Sequence, residues 1–175
     1  MRIWALILLA LVLAMAGKAQ GQATWVGTTN ANWATGTDWT GGTGVSGAPA
    51  SGQGLKFGAA GTGGATLTDN LTTGTGSWTV AGITFKSGAA AFVINPFSNS
   101  NGFQLTTGIT NNSTSLETIN DNIATTTSGS DTFTMTAGGG NITLGGNVIG
   151  GDFVTAGTGT LTLGGADAFT NSNIR

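Results

Sequence analysis

The chain has 175 residues, a formal net charge of −2 and only 7% charged side chains, while glycine and threonine supply 32 residues each. The five lysines and arginines form no cluster, which argues against nucleic-acid binding, and the absence of histidine removes the commonest general base and metal ligand. A hydrophobic fraction of 39% with so little net charge favours a folded chain over a disordered one. Cysteine is absent, so disulfides do not indicate a compartment.

Residues 1–23 are predicted to be a secretory signal peptide. Arg2 provides the positive charge, residues 3–16 form an uninterrupted apolar run, and a segment of small and polar residues follows. This run is shorter than the roughly 20 residues that a membrane span needs. Cleavage after Ala19 and cleavage after Ala23 both satisfy the small-residue rule. The sequence therefore predicts export to the extracellular space or the outer cell surface, with membrane contact only during export.

Residues 24–54 contain three of the five tryptophans, Trp25, Trp33 and Trp39. A stack of β-strands needs its first turn covered, and each large aromatic side chain buries about 150–250 Å². The segment is therefore predicted to be an N-terminal cap. The alternative is an aromatic platform on which the same three tryptophans contact glycans.

From residue 55 onward the chain contains short runs in which two apolar residues flank a polar one. This spacing is typical of strands with one buried face. The clearest copies are Ile142-Thr143-Leu144-Gly145-Gly146 and Leu161-Thr162-Leu163-Gly164-Gly165. Their starting points are about 20 residues apart, a distance that is typical of a structural repeat and too long for a hairpin.

Three further spacings bear on the length of the repeat. The distance along the chain from Ile83 to Phe103, and that from Ile123 to Ile142, nearly equal the distance from Ile142 to Leu161, which suggests the same period. Leu55 and Ile83 are farther apart in sequence, which predicts a longer loop between them.

Two all-β architectures fit this pattern. A parallel β-helix over residues 55–175 is favoured over an antiparallel β-sandwich, because most connections are long and glycine-rich and a sandwich needs tight hairpin turns. Asn101-Gly102 is the one hairpin signal, and it leaves open a local hairpin between residues 92–94 and 103–105.

The segment Gly157 to Thr170, GTGTLTLGGADAFT, resembles the autotransporter-associated β-strand repeat, whose usual form is G-x-G-T-L-T-L-x-G-x-N-x-Y-T. Asp167 stands where the repeat usually has asparagine, and Phe169 where it has tyrosine. Residues 80–85 and 108–113 are similar to segments that precede such repeats in large secreted bacterial proteins. The resemblance implies a right-handed parallel β-helix of the passenger type, displayed at the cell surface, and it defines no catalytic residues.

No catalytic, cofactor or metal site is predicted. The carboxylates are dispersed, with Glu117 and Asp121 the closest pair in sequence, and they are interpreted as polar caps of loops. The segments ending at Asp131 and Asp152 faintly resemble calcium-binding β-roll repeats, but isolated aspartates do not supply the six to eight oxygen ligands of calcium. The seven carboxylates are Asp38, Asp69, Glu117, Asp121, Asp131, Asp152 and Asp167.

Together these features predict a non-catalytic structural or adhesive protein that contacts glycans or other cell-surface proteins. The alternative is a polysaccharide-binding or polysaccharide-active β-helix module. After Leu163 only residues 164–175 remain, without a tryptophan or a helical pattern to cover the last turn. We expect either that the sequence is the N-terminal part of a longer passenger, or that its last turn mediates end-to-end self-association.

Overall fold

The structure is a computed structural model that describes residues 21–71, 77–125, 131–135, 139–150, 153–166 and 168–169. These residues are all-β apart from two short 3₁₀ turns, Gly36–Asp38 and Val45–Gly47. None of them belongs to a helix long and apolar enough to cross a membrane. The strands are β1 (Gln22–Trp25), β2 (Trp39–Thr40), β3 (Gly54–Phe57), β4 (Thr66–Asp69), β5 (Thr79–Val80), β6 (Ile83–Phe85), β7 (Val93–Pro96), β8 (Gly102–Leu105), β9 (Gly108–Asn111), β10 (Glu117–Ile119), β11 (Asn122–Thr125), β12 (Asp131–Met135), β13 (Ile142–Leu144), β14 (Val148–Gly150), β15 (Phe153–Gly157), β16 (Leu161–Leu163) and β17 (Ala168–Phe169).

The strands form three sheets. Sheet 1 has the order β15-β12-β9-β6-β3-β1-β2, sheet 2 the order β16-β13-β10-β7-β4, and sheet 3 the order β17-β14-β11-β8-β5. From β3 onward, consecutive strands enter sheets 1, 2 and 3 in rotation, and each pairs in parallel with the strand three places along the chain. The described strands therefore form a parallel β-solenoid with three-sided turns. The predicted parallel β-helix is confirmed, and the β-sandwich alternative is wrong.

The number of residues in one turn of the solenoid decreases from the N-terminal turns to the C-terminal ones. Ile142 pairs with Leu161, so the repeat predicted from these two copies is confirmed as one turn. Leu55 pairs with Ile83, so this wider spacing is also one complete turn, with longer connections.

The other two spacings do not measure the repeat. Ile83 lies in sheet 1 and Phe103 in sheet 3, while Ile123 lies in sheet 3 and Ile142 in sheet 2. Reading these distances as turns is therefore wrong. The physical reason is that strands on all three sides have the same alternation of apolar and polar residues.

Asn101-Gly102 forms a corner of the solenoid, and the suggested hairpin is wrong. β7 and β8, on either side of this corner, belong to sheets 2 and 3 and do not pair with each other. A Cβ atom at Gly102 would overlap the carbonyl oxygen of Asn122 in the next turn, so only glycine fits here. In the described part of the chain, the antiparallel pairing lies instead between β1 and β2, where Trp25 is opposite Trp39.

The interior is filled by columns of apolar side chains that lie in register from turn to turn. In two of these columns, four consecutive members are each at most 1% exposed. These columns are Leu55, Ile83, Ile109 and Phe133 in sheet 1, and Leu67, Ile94, Ile119 and Leu144 in sheet 2. The threonines between these positions consequently face outward, which determines the character of the surface.

Candidate functional site

The three N-terminal tryptophans pack on one another over the first turn. The ring of Trp39 lies 5.2 Å from that of Trp25 and 6.0 Å from that of Trp33, both in edge-to-face geometry. Trp33 and Trp39 also contact Phe57 of β3, with ring centroids 6.1 and 5.7 Å apart. These contacts place the tryptophans as a cover on the apolar interior.

Burial of the three rings favours the cap over the glycan platform. Trp25, Trp33 and Trp39 are 2%, 0% and 6% exposed, whereas a sugar stacks on an aromatic face that is open to solvent. The indole nitrogen of Trp25 donates to the carbonyl of Ala60 at 3.0 Å, and that of Trp39 donates to the carbonyl of Trp33 at 2.9 Å. Glycan contact by these residues stays a prediction without an exposed ring face to support it.

The carboxylate of Asp38 stabilises the loop between Trp25 and Trp33. Its buried carboxylate accepts hydrogen bonds from the backbone N–H groups of Thr29 and Asn30. Its backbone carbonyl accepts from the N–H of Val26 at 2.8 Å. An anionic acceptor that satisfies several backbone donors is a loop cap, as the sequence suggested for this acid.

Glu117 belongs to a buried polar network at the corner between sheets 1 and 2. Its Oε1 accepts from the hydroxyl of Ser113 at 2.7 Å, and its Oε2 accepts from the N–H of Phe92 in the preceding turn at 2.8 Å. Asn111 extends the network, because its Oδ1 accepts from Ser113 and its Nδ2 donates to the carbonyl of Asn141 in the next turn. Burial raises the pKa of Glu117, while the hydrogen bonds from Ser113 and Phe92 act in the opposite direction. The network joins three consecutive turns.

Asp121 differs from these acids because neither of its carboxyl oxygens has a hydrogen-bond partner among the described residues. The side chain is fully buried where the chain passes from sheet 2 to sheet 3. Burial, and secondarily the negative charge of Asp69, raises the pKa of Asp121 to about 9. At neutral pH this residue is therefore a neutral acid enclosed in the solenoid and out of reach of a polymer.

The remaining acids do not add a site in the described part of the chain. Asp69 is buried and accepts from the N–H of Leu71 at 3.0 Å. No group of three carboxylates able to hold a metal ion is present within the residues that the structure describes. Asp152, Asp167 and the side chain of Asp131 lie outside those residues, so neither calcium-like segment is described in full.

The outer face of sheet 2 is a regular, uncharged surface. Its central column occupies partner positions in five consecutive strands and consists of Thr66, Val93, Thr118, Thr143 and Thr162. Neighbouring strands lie about 4.7–4.9 Å apart, so hydroxyl and methyl groups repeat at that interval. Beside this column, the amide Nδ2 of Asn120 donates to Oδ1 of Asn95 at 2.8 Å, which continues the polar surface between turns.

The outer face of sheet 1 is less uniform and contains a cavity. Thr84, Thr110 and Thr134 are in register there, but Lys56 interrupts the column toward the N-terminus. A cavity of about 280 Å³ opens beside it and is lined by Gln22, Gly54, Ala81, Gly82, Ile83, Thr84, Thr107, Gly108 and Thr110. This lining contains hydroxyl and backbone groups and no acid or base, so it provides hydrogen bonds but no general acid–base pair.

Sequence reasoning missed the buried network at Asn111 and the isolated acid at Asp121. Both residues follow an isoleucine at the i+2 position, Ile109 and Ile119, where the strand pattern predicts another inward-facing side chain. The place of Asn111 and Asp121 in this alternation was therefore the feature of the sequence that could have predicted their burial.

Comparison of the chain with protein-family models, with curated proteins and with solved structures found no match. The resemblance of residues 157–170 to an autotransporter-associated repeat therefore stays a prediction, as does the handedness that it implies. Within this segment the Leu161–Leu163 strand is β16, and it lies in register with β13.

Proposed function

We propose that the protein is an exported, non-catalytic β-solenoid that acts as a structural or adhesive element at the outer surface of a bacterial cell. It contacts glycans or other cell-surface proteins through many weak interactions. The observation that carries this proposal is the outer face of sheet 2, where four threonines and one valine are in register without a charged residue. Groups repeated at a constant interval engage a repeating polymer at several points at once, which raises avidity without a deep pocket.

The placement of the described acids supports a non-catalytic role. Enzymes that cleave sugars use two accessible carboxyl groups, roughly 5–10 Å apart, on either side of the bond. Here Asp38 and Glu117 are occupied by hydrogen bonds within the fold, and Asp121 is enclosed. None of these three carboxyl groups is available to a polymer on the surface.

The alternative, a polysaccharide-binding or polysaccharide-active module, is favoured by one observation, the cavity on sheet 1. Its volume of about 280 Å³ and its threonine hydroxyls suit a short stretch of sugar. It lacks the exposed aromatic ring that sugar sites commonly use for stacking, which is why the flat face of sheet 2 is the stronger candidate.

The test is a pull-down with insoluble polysaccharides and cell-envelope fragments, combined with an assay for released reducing sugars. The substitutions Thr118→Lys and Thr143→Lys together place two charges on the sheet 2 face. The matched control carries Thr84→Lys and Thr110→Lys, two in-register threonines on sheet 1 that also line the cavity. We expect the sheet 2 variant to lose about tenfold in binding, equivalent to about 1.4 kcal/mol, while the control binds as the wild type does.

Other outcomes discriminate between the hypotheses. Loss of binding in the sheet 1 variant alone would favour the polysaccharide-binding alternative. Release of sugar from any polymer, abolished by Asp121→Ala in a protein that still folds, would overturn the non-catalytic proposal.

A further inference from the structure

The first strand of the solenoid begins before one of the two predicted signal-cleavage sites. β1 runs from Gln22 to Trp25 and lies between β3 and β2 in sheet 1. Gln22 and Ala23 pair in parallel with Gly54 and Leu55 of β3. Ala23 is fully buried and belongs to the apolar interior. The residues just before Thr24 are therefore integral to the fold.

A buried glutamine extends these contacts to Gly21. The side-chain Nε2 of Gln53 donates to the carbonyl oxygens of Gly21 and Gly41, both at 3.0 Å. Its Oε1 accepts from the N–H groups of Thr43 and Ala50 at 2.9 and 2.8 Å. All hydrogen-bonding capacity of this amide is thus used, and one of its four partners is Gly21.

Cleavage after Ala23 would disrupt this arrangement. It would remove Gln22 and Ala23, which pair with Gly54 and Leu55 of β3, and take away one acceptor of the buried Gln53 amide. The new α-ammonium group would lie at Thr24, which is partly buried and paired with Lys56 of β3 and Thr40 of β2, and placing an unpartnered charge there is unfavourable. Cleavage after Ala19 has none of these effects, because two residues then precede β1.

We propose that the leader is removed between Ala19 and Gln20, and that Gly21, Gln22 and Ala23 belong to the mature solenoid. This inference rests on the proposed export, since only an exported chain meets a signal peptidase. The peptidase rule for small residues accepts both sites equally, so the sequence motif does not distinguish them. The pairing of β1 with β3 and the hydrogen bonds of Gln53 distinguish the two sites, because only cleavage after Ala19 preserves them.

The proposed terminus has a chemical signature. The α-amine of an N-terminal glutamine attacks its own side-chain amide carbon, closes a five-membered lactam and releases ammonia. The N-terminal peptide of the exported protein should therefore begin at Gln20, either with a free amine or lighter by one ammonia.

The first test is mass spectrometry of the N-terminal peptide of protein recovered from the exported fraction. A terminus at Gln20 in either form supports the proposal. A terminus at Thr24 would overturn it while leaving export intact. An intact Met1 in the exported fraction would refute removal of the leader, whereas absence of the protein from that fraction would refute export itself, so failure of the two claims is distinguishable.

The second test does not depend on export. Chains comprising residues 20–175, 21–175 and 24–175 are produced directly, and their urea unfolding midpoints are compared. We expect the first two chains to have the same midpoint and the third to have a clearly lower midpoint or no cooperative transition. Equal midpoints for all three would show that Gly21 to Ala23 contribute nothing to the fold and would overturn the inference.

Discussion

Asp121 should impose a pH dependence on the stability of the solenoid, and Asp121→Asn should remove it. Burial and the nearby Asp69 raise the pKa of this carboxyl from 3.8 to about 9. In the unfolded chain the group ionises near its ordinary pKa. Between these two values the folded state therefore holds a proton that the unfolded state has released.

The sign and the size of this pH dependence follow from the difference in protons bound by the folded and unfolded states. Because the folded state binds more protons, the free energy of unfolding is greatest below the unfolded pKa and decreases as the pH rises toward the folded pKa. One proton corresponds to about 1.4 kcal/mol per pH unit, so the wild type should lose about 3 kcal/mol between pH 5 and pH 7 through this residue. Asparagine has the same shape and no charge, so this contribution disappears in the variant.

The assay is urea unfolding of the mature wild type and the variant at pH 5, 6, 7 and 8 and constant ionic strength. The wild-type midpoint should fall with pH more steeply than that of Asp121→Asn. Glu117, whose pKa is also raised by burial, changes stability in the same direction, so the variant should retain a smaller slope. Glu117→Gln is the matched control and should retain the pH dependence that Asp121 imposes. Equal slopes for the wild type and Asp121→Asn would refute the reasoning.

Three further predictions test the cap, a corner and the last turn. Trp33→Ala should cost about 3–5 kcal/mol, because it empties a fully buried aromatic site; urea unfolding measures this, and a loss below about 1 kcal/mol would contradict the cap. Gly108→Ala should destabilise strongly, because φ is 118° there and a Cβ would overlap the carbonyl oxygen of Thr132. The control Gly88→Ala also has a positive φ, 74°, but open space, and should cost only about 1 kcal/mol in the same assay. Leu161 in β16 is only partly buried, whereas its partner Ile142 in β13 is fully buried. This leaves apolar surface accessible on the β16 turn, so the mature chain should self-associate with increasing concentration in sedimentation velocity. A monomer at every concentration would contradict this prediction.

The strands could be predicted from the sequence because each has an alternation of period two that local composition displays. The Ile142 and Leu161 strands were recognisable as partners because their sequences are nearly identical. The distance from Ile83 to Phe103 was wrongly taken as one turn, since strands of different sheets have the same pattern. The choice of partner depends on where each corner falls, as at Gly102, and that is set by contacts with the next turn.

The candidate surface and the buried groups differ in how far they could be predicted. A threonine between two inward-facing residues must face outward, so the uncharged character of the solenoid sides can be predicted from the sequence. Asn111 and Asp121 were not expected to face inward, because an isolated polar residue is normally assigned to the surface. The inward position of Asn111 depends on Ser113 and on Asn141 in the next turn, and contacts between turns are not visible in local sequence.

Surface labelling of intact cells tests the central claim, an exported structural solenoid, most directly. Antibodies against the mature chain are applied to the cells that produce the protein, before and after permeabilisation, with a cytoplasmic protein as control. The account predicts label on intact cells or protein in the medium, and loss of that label after external protease treatment. Label that appears only after permeabilisation, together with the cytoplasmic control, would contradict it.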